Sequence, residues 1–444
     1  MPSSILRDFG NGLVMRRGTR GDADALAAFC GHVHGDETFG NPNLRISAWT
    51  RDLASRPHPT MGPEDFTIVE ESSSGRIVST SCLIPQAWTY EGIEFGVGRT
   101  ELVGTLPEFR RRGLVRAQME QIHEWSTQRG HLVQAITGIA HYYRRFGYEM
   151  ALDLGGRRFG HESNVPQLPD GSEEAFRIRP AQESDIPLIA ELYALTCARA
   201  AVACKRTPEI WRYELQGQSE ESDCRFVIRI IEDLQRRPVG YLRHREFLGL
   251  TGLSLGSYEL VPGVSWLQVT PTVVRYLWKH GGELALTEGR PRTTFGFVLG
   301  TQHPVYEALG RDLPTIVEPY AWYLRVPDLV GFLQHIRPAL ERRLAASIAA
   351  GHTGTLNISF YASGIHLALD RGALRVIEPW APEPRFESGD VRFPDLTFLQ
   401  VLFGRRTLQE LRLAFPDCGW KDNDCLVLIN ALFPRQSPEI LPIA

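Results

Sequence analysis

The stretch Glu101–Arg116 carries residue types that can hold a diphosphate. It reads Glu-Leu-Val-Gly-Thr-Leu-Pro-Glu-Phe-Arg-Arg-Arg-Gly-Leu-Val-Arg, so an apolar strand runs through a basic turn directly into a predicted helix. The first N–H groups of that helix lack carbonyl partners, and the helix dipole favours an anion at this end. A glycine lets ligand oxygens approach the backbone, and forked guanidinium donors suit phosphate. The candidate contacts are Arg110, Arg111, Arg112, Gly113, Leu114, Val115 and Arg116.

Other interpretations of the basic turn remain open. A solvated turn before an ordinary amphipathic helix has the same composition. A nucleic-acid patch is disfavoured, because the 444-residue chain has a formal net charge of −4. Any basic site on this chain is therefore local.

An aromatic cluster follows the next predicted strand, and within it Tyr143 is the candidate general acid. Ligands of α/β folds gather at the carboxyl edge of the strands, which is where this cluster should lie. A phenol with a pKa of about 10 is protonated at neutral pH and can donate a proton. Tyr142 and Tyr148 are expected to pack, and His141 is a weaker candidate for the acid. The alternative for Tyr143 itself is a place in the core.

Glu101 is the candidate general base, because it lies on the strand that leads into the basic turn. The alternative is a buried ion pair with Arg99 or Arg116. Glu94 and His123 are the fallback candidates.

The elements that must position these groups form a predicted mixed sheet with flanking helices. Phe66–Glu71, Arg76–Ile84 and Phe95–Thr105 are separated by Gly and Ser turns and predict a meander of three strands. A strand over Leu132–Thr137 follows the helix. A helical crossover therefore joins it to the third strand, and the two should run parallel.

The chain contains an internal duplication. Val14–Leu26 and Phe176–Leu188 both read as a short strand, a turn with an Asp cap and a helix, and Gly138–Gly147 is matched by Gly300–Gly310. The offset is 162 or 163 residues at both ends, which indicates a tandem α/β unit. The turn-rich segment 155–174 predicts an irregular connection between the two units.

The second unit has no Arg-Arg-x-Gly turn at the corresponding place. There the sequence reads Ser-Trp-Leu-Gln-Val-Thr-Pro, and Pro271 is expected to open a helix. The second unit is therefore expected to keep the fold without binding the diphosphate-containing cofactor that the basic turn of the first unit would hold.

From Thr353 onward the pattern changes to an antiparallel sheet followed by helices. Gly354–Phe360 and Gly364–Glu378 alternate as strands, and an Asp-Arg-Gly sequence supplies a tight turn. Helices are predicted over 395–403 and 407–414, and 425–433 is either a strand or a helix. This is an α+β arrangement.

Arg110, Gly113 and Val115 resemble the acetyl-CoA motif of the GNAT acetyltransferase superfamily, with Val115 where the motif has Gly or Ala. The resemblance implies acetyl-CoA as cosubstrate and no metal. It also implies that an open strand edge would hold the pantetheine arm of the cofactor through the backbone. The residues of that edge are Leu102, Val103 and Thr105.

The sequence also resembles the enhanced intracellular survival family of acetyltransferases. Tyr143–Tyr148, reading Tyr-Arg-Arg-Phe-Gly-Tyr, is similar to the motif that carries the acid of that family, and Phe393–Gly404 with Leu432–Pro438 resembles its sterol-carrier-like domain. In that family a terminal carboxylate reaches the active site, so Ala444 is a further candidate base. The family also forms hexamers, which implies a homo-oligomer.

The resemblance implies an α/β and α+β fold with two tandem GNAT-like mixed-sheet domains and an α+β sterol-carrier-like domain. The expected domains are residues 1–158, the catalytic unit, 175–345, the degenerate unit, and 350–444, the sterol-carrier-like unit. A lipid site in the last domain is disfavoured against a scaffold role.

Composition favours a cytoplasmic protein. The seven cysteines are scattered, odd in number and without a Cys-x-x-Cys pair, so neither a disulfide framework nor a zinc site is expected. No export signal and no apolar run of about 18 residues is evident. Partners such as nucleic acid or a membrane are not expected.

The sequence predicts an acetyl-CoA-dependent N-acetyltransferase whose first unit performs the chemistry. The expected acceptor is a primary amine on a small molecule, a polyamine, an aminoglycoside or a lysine. The alternative is a non-enzymatic protein that binds acyl-CoA or lipid.

Overall fold

The structure is a computed structural model that describes residues 5–35, 41–383 and 388–444, and its strands form three sheets within those ranges. The first region is a twisted sheet with helices on its faces. Its elements are β1 (Ile5–Gly10), β2 (Leu13–Arg17), α1 (Ala23–Val33), α2 (Leu44–Ser55), β3 (Phe66–Glu71), β4 (Ile77–Tyr90), β5 (Ile93–Thr105), α3 (Leu114–Gln128), β6 (Val133–Ile136) and β7 (Glu149–Leu154).

The predicted meander and crossover are confirmed in this sheet. Strands β3, β4 and β5 pair antiparallel in succession, and β5 pairs parallel with β6. Helix α3 connects β5 to β6 and buries Met119, Ile122 and Trp125. The basic turn therefore stands at the carboxyl end of β5.

The second region repeats this order of strands and helices. Its elements are β8 (Arg157–His161), β9 (Phe176–Pro180), α4 (Ile186–Ala198), β10 (Val202–Cys204), α5 (Pro208–Gln216), β11 (Val227–Asp233), β12 (Pro238–His244), β13 (Gly252–Leu260), α6 (Trp266–Glu288), β14 (Thr294–Phe297), α7 (Pro304–Leu309), β15 (Thr315–Val317), β16 (Tyr320–Arg325), α8 (Leu329–His335) and α9 (Arg337–Ala345). Strand β13 pairs parallel with β14 across α6, as β5 does with β6 across α3.

The two regions exchange strands. Strand β16 inserts between β6 and β7 of the first sheet, and β8 inserts between β14 and β15 of the second. Strand β10 also pairs with β4. The first sheet is thus completed by strands of the second unit, and the second sheet by the strand β8 that follows β7 in the connection between the units. The three-domain division stays a prediction, and these strands cross its boundaries.

Two local expectations were wrong. The predicted irregular connection 155–174 contains β8, because the backbone of this polar segment finds hydrogen-bond partners in β14 and β15. Pro271 does not open a helix but lies inside α6, which begins at Trp266. Proline cannot donate to the carbonyl of Leu267, and Leu267 is 71% exposed, so water can satisfy that carbonyl.

The third region is a five-stranded sheet with short helices. Residues 425–433, which the sequence left between strand and helix, are almost wholly helical. The elements are β17 (Gly354–Ser359), β18 (Gly364–Asp370), β19 (Ala373–Trp380), β20 (Val391–Arg392), α10 (Phe398–Leu402), α11 (Leu408–Ala414), β21 (Gly419–Trp420) and α12 (Asn423–Leu432).

The third region shares a core with the first sheet. Trp88, Phe95 and Leu152 pack in one buried cluster with Leu402 and Phe433. The hydroxyl of Tyr90 donates to the carbonyl of Leu402 at 2.7 Å. The predicted fold class, mixed α/β sheets followed by an α+β region, is confirmed. Within the described ranges, none of the helices has the length and apolar character needed to cross a bilayer.

Candidate functional site

Strand β5 separates from β6 and leaves an open backbone edge. The parallel pairs stop at Arg99 with Ala135, while the other side of β5 stays paired with β4 as far as Thr105. A bulge at Leu102, whose φ is +51°, bends the strand at this point. The edge over residues 101–105 can therefore hydrogen-bond an extended ligand.

A buried hydrogen-bond network holds α3 against this bent strand. The Ser79 hydroxyl lies 2.8 Å from the carbonyl oxygen of Gly104 and 2.7 Å from Oε1 of Gln118. Nε2 of Gln118 donates to the carbonyl of Thr67 at 3.2 Å. Because the Ser79 and Gln118 side chains are both buried, the start of α3 is fixed relative to the open edge.

The basic turn ends in a glycine in the left-handed conformation. Gly113 has φ +78° and ψ 3° immediately before α3, and a Cβ built there would meet open space. The first helical bond runs from Ala117 N to Gly113 O at 3.1 Å. The preceding N–H groups have no acceptor four residues back, and the first turn holds no acidic residue. This end of α3 can bind an anion.

The open edge and the basic turn line one cavity of about 1010 Å³. Arg116 also lines it and packs over Phe146, with 5.4 Å from its guanidinium carbon to the ring centroid. Arg112 does not line it, because its guanidinium turns back to the carbonyl of Glu108 at 3.1 Å. The predicted cofactor residues that line the cavity are Leu102, Val103, Thr105, Arg110, Arg111, Gly113, Leu114 and Val115.

Tyr143 lines the opposite wall of the same cavity. It begins a 3-10 turn, Tyr143–Phe146, that ends at Gly147 with φ +83°. Its ring packs edge-on against Tyr142 and Tyr323, with centroid separations of 5.3 and 5.7 Å. Within the described part of the chain, its hydroxyl has no hydrogen-bond partner. Burial, and then the charge of Glu101, raise the pKa of Tyr143, so the phenol stays protonated at neutral pH.

Tyr323 is a residue that sequence reasoning missed. It lies on the exchanged strand β16, and its hydroxyl accepts a hydrogen bond from the backbone N–H of His141 at 2.6 Å. This contact positions the loop before Tyr143. No sequence signal links residues so far apart, because the strand exchange brings them together.

Glu101 lines the cavity and is also held in an ion pair. One of its oxygens lies 2.6 Å from Nη2 of Arg99, and the Glu101 side chain is 15% exposed. Glu101, the candidate base, is therefore in the ion pair with Arg99 that the sequence analysis gave as the alternative to that role.

Ala444 does not line this cavity but lines a neighbouring one of about 550 Å³. Its carbonyl oxygen accepts from Nε2 of Gln218 at 2.7 Å, and the carbonyl of Ile443 accepts from Arg99 at 3.0 Å. Thr137 lines both cavities, so the two adjoin there.

The fallback candidates lie away from the main cavity. Nε2 of His123 is 2.8 Å from the Tyr148 hydroxyl, and burial lowers the pKa of His123 to about 3. Glu94 forms an ion pair with Lys205. The side chain of His141 is exposed.

Among the described residues, one group has the side-chain types of a metal site: His244, Glu246 and His280, whose ligand atoms lie within 4.8 Å of one another. Arg229 donates to Glu246 at 2.7 Å, and the Tyr276 hydroxyl lies 2.8 Å from Nε2 of His244. A cation and a hydroxyl already satisfy these atoms, so the group reads as a structural hydrogen-bond network.

Comparison with known proteins agrees with this geometry. Residues 15–151 match the family described as "Acetyltransferase (GNAT) domain". The matched range includes the open edge, the basic turn and Tyr143. No curated protein matches the sequence significantly. The family match supports acyl transfer as the chemistry of the first unit.

Solved structures show the same fold over nearly the whole chain. A conserved protein of unknown function from Enterococcus faecalis superimposes with a TM-score of 0.67 at 11% identity, covering 96% of this chain and 98% of its own. A GCN5-related N-acetyltransferase from Anabaena variabilis gives 0.61 at 14% identity, covering 97% and 100%. Eis1 from Mycobacterium abscessus gives 0.55 at 16% identity, covering 96% and 99%. At these identities the likeness concerns the fold alone.

Proposed function

We propose that this protein transfers an acetyl group from acetyl-CoA to a primary amine. The supporting observation is the cavity of about 1010 Å³, which has an open strand edge, an unblocked helix N-terminus beside arginines, and a tyrosine hydroxyl as parts of its wall. In that order, these three features correspond to the pantetheine arm, the diphosphate and the thioester of one ligand.

In this proposal the diphosphate binds at Gly113 and the first turn of α3, where Arg110 and Arg111 add charge. The pantetheine amides extend the ladder along Leu102–Thr105. A ligand in that register would carry its thioester towards the end of β6, where Tyr143 stands. The protein then supplies orientation, which accounts for a large part of the rate enhancement in such transfers.

The reaction forms a bond between the amine nitrogen and the acetyl carbon and breaks the bond between that carbon and sulfur. Tyr143 gives its proton to the departing thiolate as the carbon–sulfur bond breaks, and its raised pKa means that the phenol still carries that proton at neutral pH. The amine loses one proton, for which Glu101 and the carboxylate of Ala444 are the candidate acceptors. Glu101 is on the cofactor side, and Ala444 is on the side of the neighbouring cavity.

The acceptor amine is placed in the neighbouring cavity, because that cavity adjoins the first at Thr137. A small molecule, a polyamine, an aminoglycoside and a lysine side chain are the acceptor classes within the proposal. A cytoplasmic location, a homo-oligomer such as a hexamer, and a sterol-carrier-like role for the third region belong to the proposal in the same way.

The test is release of free thiol from acetyl-CoA in the presence of a panel of amines. Tyr143→Phe should lower kcat by about 100- to 10,000-fold, the usual contribution of a positioned acid, while CoA affinity is unchanged. Tyr142→Phe is the matched control, because Tyr142 lines the same cavity and loses the same atom. Equal losses in both variants would refute the assigned acid.

A non-enzymatic protein that binds acyl-CoA is the second candidate. It shares the open edge and the basic turn but needs no acid. Binding of CoA without amine-dependent thiol release, in the wild type and over the whole panel, would favour this second function over the first.

A further inference from the structure

One wall of the neighbouring cavity includes Phe226, Arg243, Arg245 and Phe247, which belong to a stack of alternating arginine and phenylalanine side chains that Arg45 extends beyond the cavity lining. The guanidinium carbon of Arg45 lies 3.8 Å from the ring centroid of Phe247, and that of Arg245 lies 5.0 Å from Phe247 and 5.1 Å from Phe226. Arg243 completes the series at 3.5 Å from Phe226. This stack, the Arg–Phe ladder, runs from α2 of the first unit to β12 and the loop after it. Stacking holds the guanidinium groups in place while leaving their edges able to donate.

The acidic side chains of the cavity are already neutralised. Asp153 pairs with Arg405 at 3.2 Å. Glu214 pairs with Arg206 at 2.5 Å and with Arg243 at 3.0 Å. A second ammonium group on an acceptor would find these carboxylates occupied.

Glu439 is the remaining acidic side chain on the wall of this cavity. Burial is the main cause that raises its pKa to about 7, against which the charge of Arg199 acts, so a large fraction of Glu439 is uncharged at neutral pH. It therefore adds little attraction for a cationic acceptor.

Two cationic side chains on the same wall are under-paired. Within the described ranges, Arg157 forms no ion pair, and Arg245 has only Asp223, at 3.6 Å. Both guanidinium groups are partly exposed and line the cavity. An anion that enters can accept hydrogen bonds from them without displacing a short ion pair.

We infer that the acceptor amine carries a carboxylate, which Arg245 and Arg157 bind, and an apolar body, which lies against the Arg–Phe ladder. This inference rests on the proposed function for the identity of the reacting group. The acceptor class is thus an amino acid or a similar amino carboxylate, and a polycation is disfavoured.

The experiment compares amines that differ only in this charge. Phenylalanine and leucine are each paired with their carboxamides, and spermidine represents the polycations. Binding to the CoA-loaded protein is measured by calorimetry, and thiol release from acetyl-CoA gives kcat/KM for the same compounds. We expect the carboxylates to be preferred by about 10- to 100-fold, the value of hydrogen bonds to a charged group.

The variant Arg245→Gln should lower kcat/KM for the carboxylates more than for the matching carboxamides, so that the preference for the carboxylate is lost. Arg177→Gln is the matched control, because Arg177 is exposed on β9, outside the lining of this cavity, and loses the same charge. A melting temperature for each variant shows whether the fold is intact. Arg157→Gln, whose side chain is exposed, gives a second variant should Arg245→Gln unfold.

The outcomes separate this inference from the proposed function. Thiol release with carboxamides or spermidine at equal or higher kcat/KM overturns the carboxylate while the transferase stands. A carboxylate preference that survives in both arginine variants, or no binding by either carboxylate, also overturns it. Absence of thiol release with every amine contradicts the transferase, and the calorimetric preference then decides the inference alone.

Discussion

The two tandem units have the same parallel strand pair but differ in what fills the gap beside it. In the first unit β5 separates from β6 after Arg99, and in the second unit β13 separates from β14 after Leu255. The first gap opens into the large cavity. At the second, Leu255, Gly256 and Val298 line the smaller neighbouring cavity, and further along β13 the unit's own aromatic side chains pack against Tyr258. Shared topology therefore does not make a shared site.

The aromatic side chains that pack against this part of β13 are Trp266 and His303. The Trp266 ring lies 4.8 Å from the Tyr258 ring and 5.3 Å from His303, measured between centroids. Nε2 of His303 donates to the carbonyl of Tyr258 at 2.9 Å. The carbonyl of Tyr258 on β13 is thus already hydrogen-bonded within the second unit, whereas the edge of β5 over residues 101–105 is open to a ligand.

The turns before the crossover helices sharpen the comparison. Gly113 and Gly263 both precede a helix, have φ of +78° and +87°, and would place a Cβ in open space. Only the first follows three arginines. The difference between a binding turn and a plain turn therefore lies in charge and access, not in backbone shape.

The largest effect is expected from Gly113→Val. A β-branched residue is strained at this φ, and its methyl groups occupy the space through which a diphosphate reaches the helix N–H groups. We expect CoA affinity, measured by calorimetry, to fall about 100-fold, equivalent to losing one or two charge-assisted hydrogen bonds. Gly263→Val has the same strain and should leave CoA affinity unchanged. Equal losses in the two variants would show that strain, not access, sets the affinity.

A second prediction concerns the aromatic cluster of Tyr258, Trp266 and His303 in the second unit. Trp266→Ala should lower the free energy of unfolding by about 2–3 kcal/mol, because it empties a half-buried aromatic site. The measurement is urea unfolding followed by circular dichroism, with Leu267→Ala as control, since that neighbouring side chain is 71% exposed. CoA should still bind at one site per chain, because the turn before α6 lacks the three arginines that precede Gly113. Binding of two CoA molecules per chain by Trp266→Ala would mean that the aromatic side chains alone prevent CoA from binding to the second unit.

Much of the site follows from sequence because its signals are local. The strand, the basic turn and the helix around Gly113 are consecutive in the chain, so propensity and capping define them together. The position of Tyr143 at the same cavity could be predicted from the parallel crossover alone. The class of the fold could be predicted for the same reason.

What the sequence missed depends on contacts between distant segments. Strand β8 contains Arg157 and His161 and reads as part of a linker, because its hydrogen-bond partners lie more than a hundred residues away in β14 and β15. Tyr323 and the Arg–Phe ladder also join side chains from both units. Such contacts have no periodic signature in one sequence.

The smallest expected effect is a change in the pH dependence of the free energy of unfolding. The prediction compares His303 with His141, its counterpart in the duplication. His303 donates from Nε2 to Tyr258, and its Nδ1 accepts from the N–H of Val305 at 3.2 Å, so the fold requires the neutral ring. Burial, opposed by the bond to Tyr258, lowers its pKa to about 4. His141 is exposed, and its ring faces solvent.

Because the unfolded chain binds this proton at about pH 6.5 and the folded chain only near pH 4, stability is full above 6.5 and is lost as the pH falls towards 4. His303→Gln should remove about 1–2 kcal/mol of the stability difference between pH 7 and pH 5, measured by urea unfolding at both values. His141→Gln should keep the wild-type difference. If His303→Gln also keeps it, the ring is protonated inside the fold, and the bonds to Tyr258 and Val305 do not hold it in the neutral form.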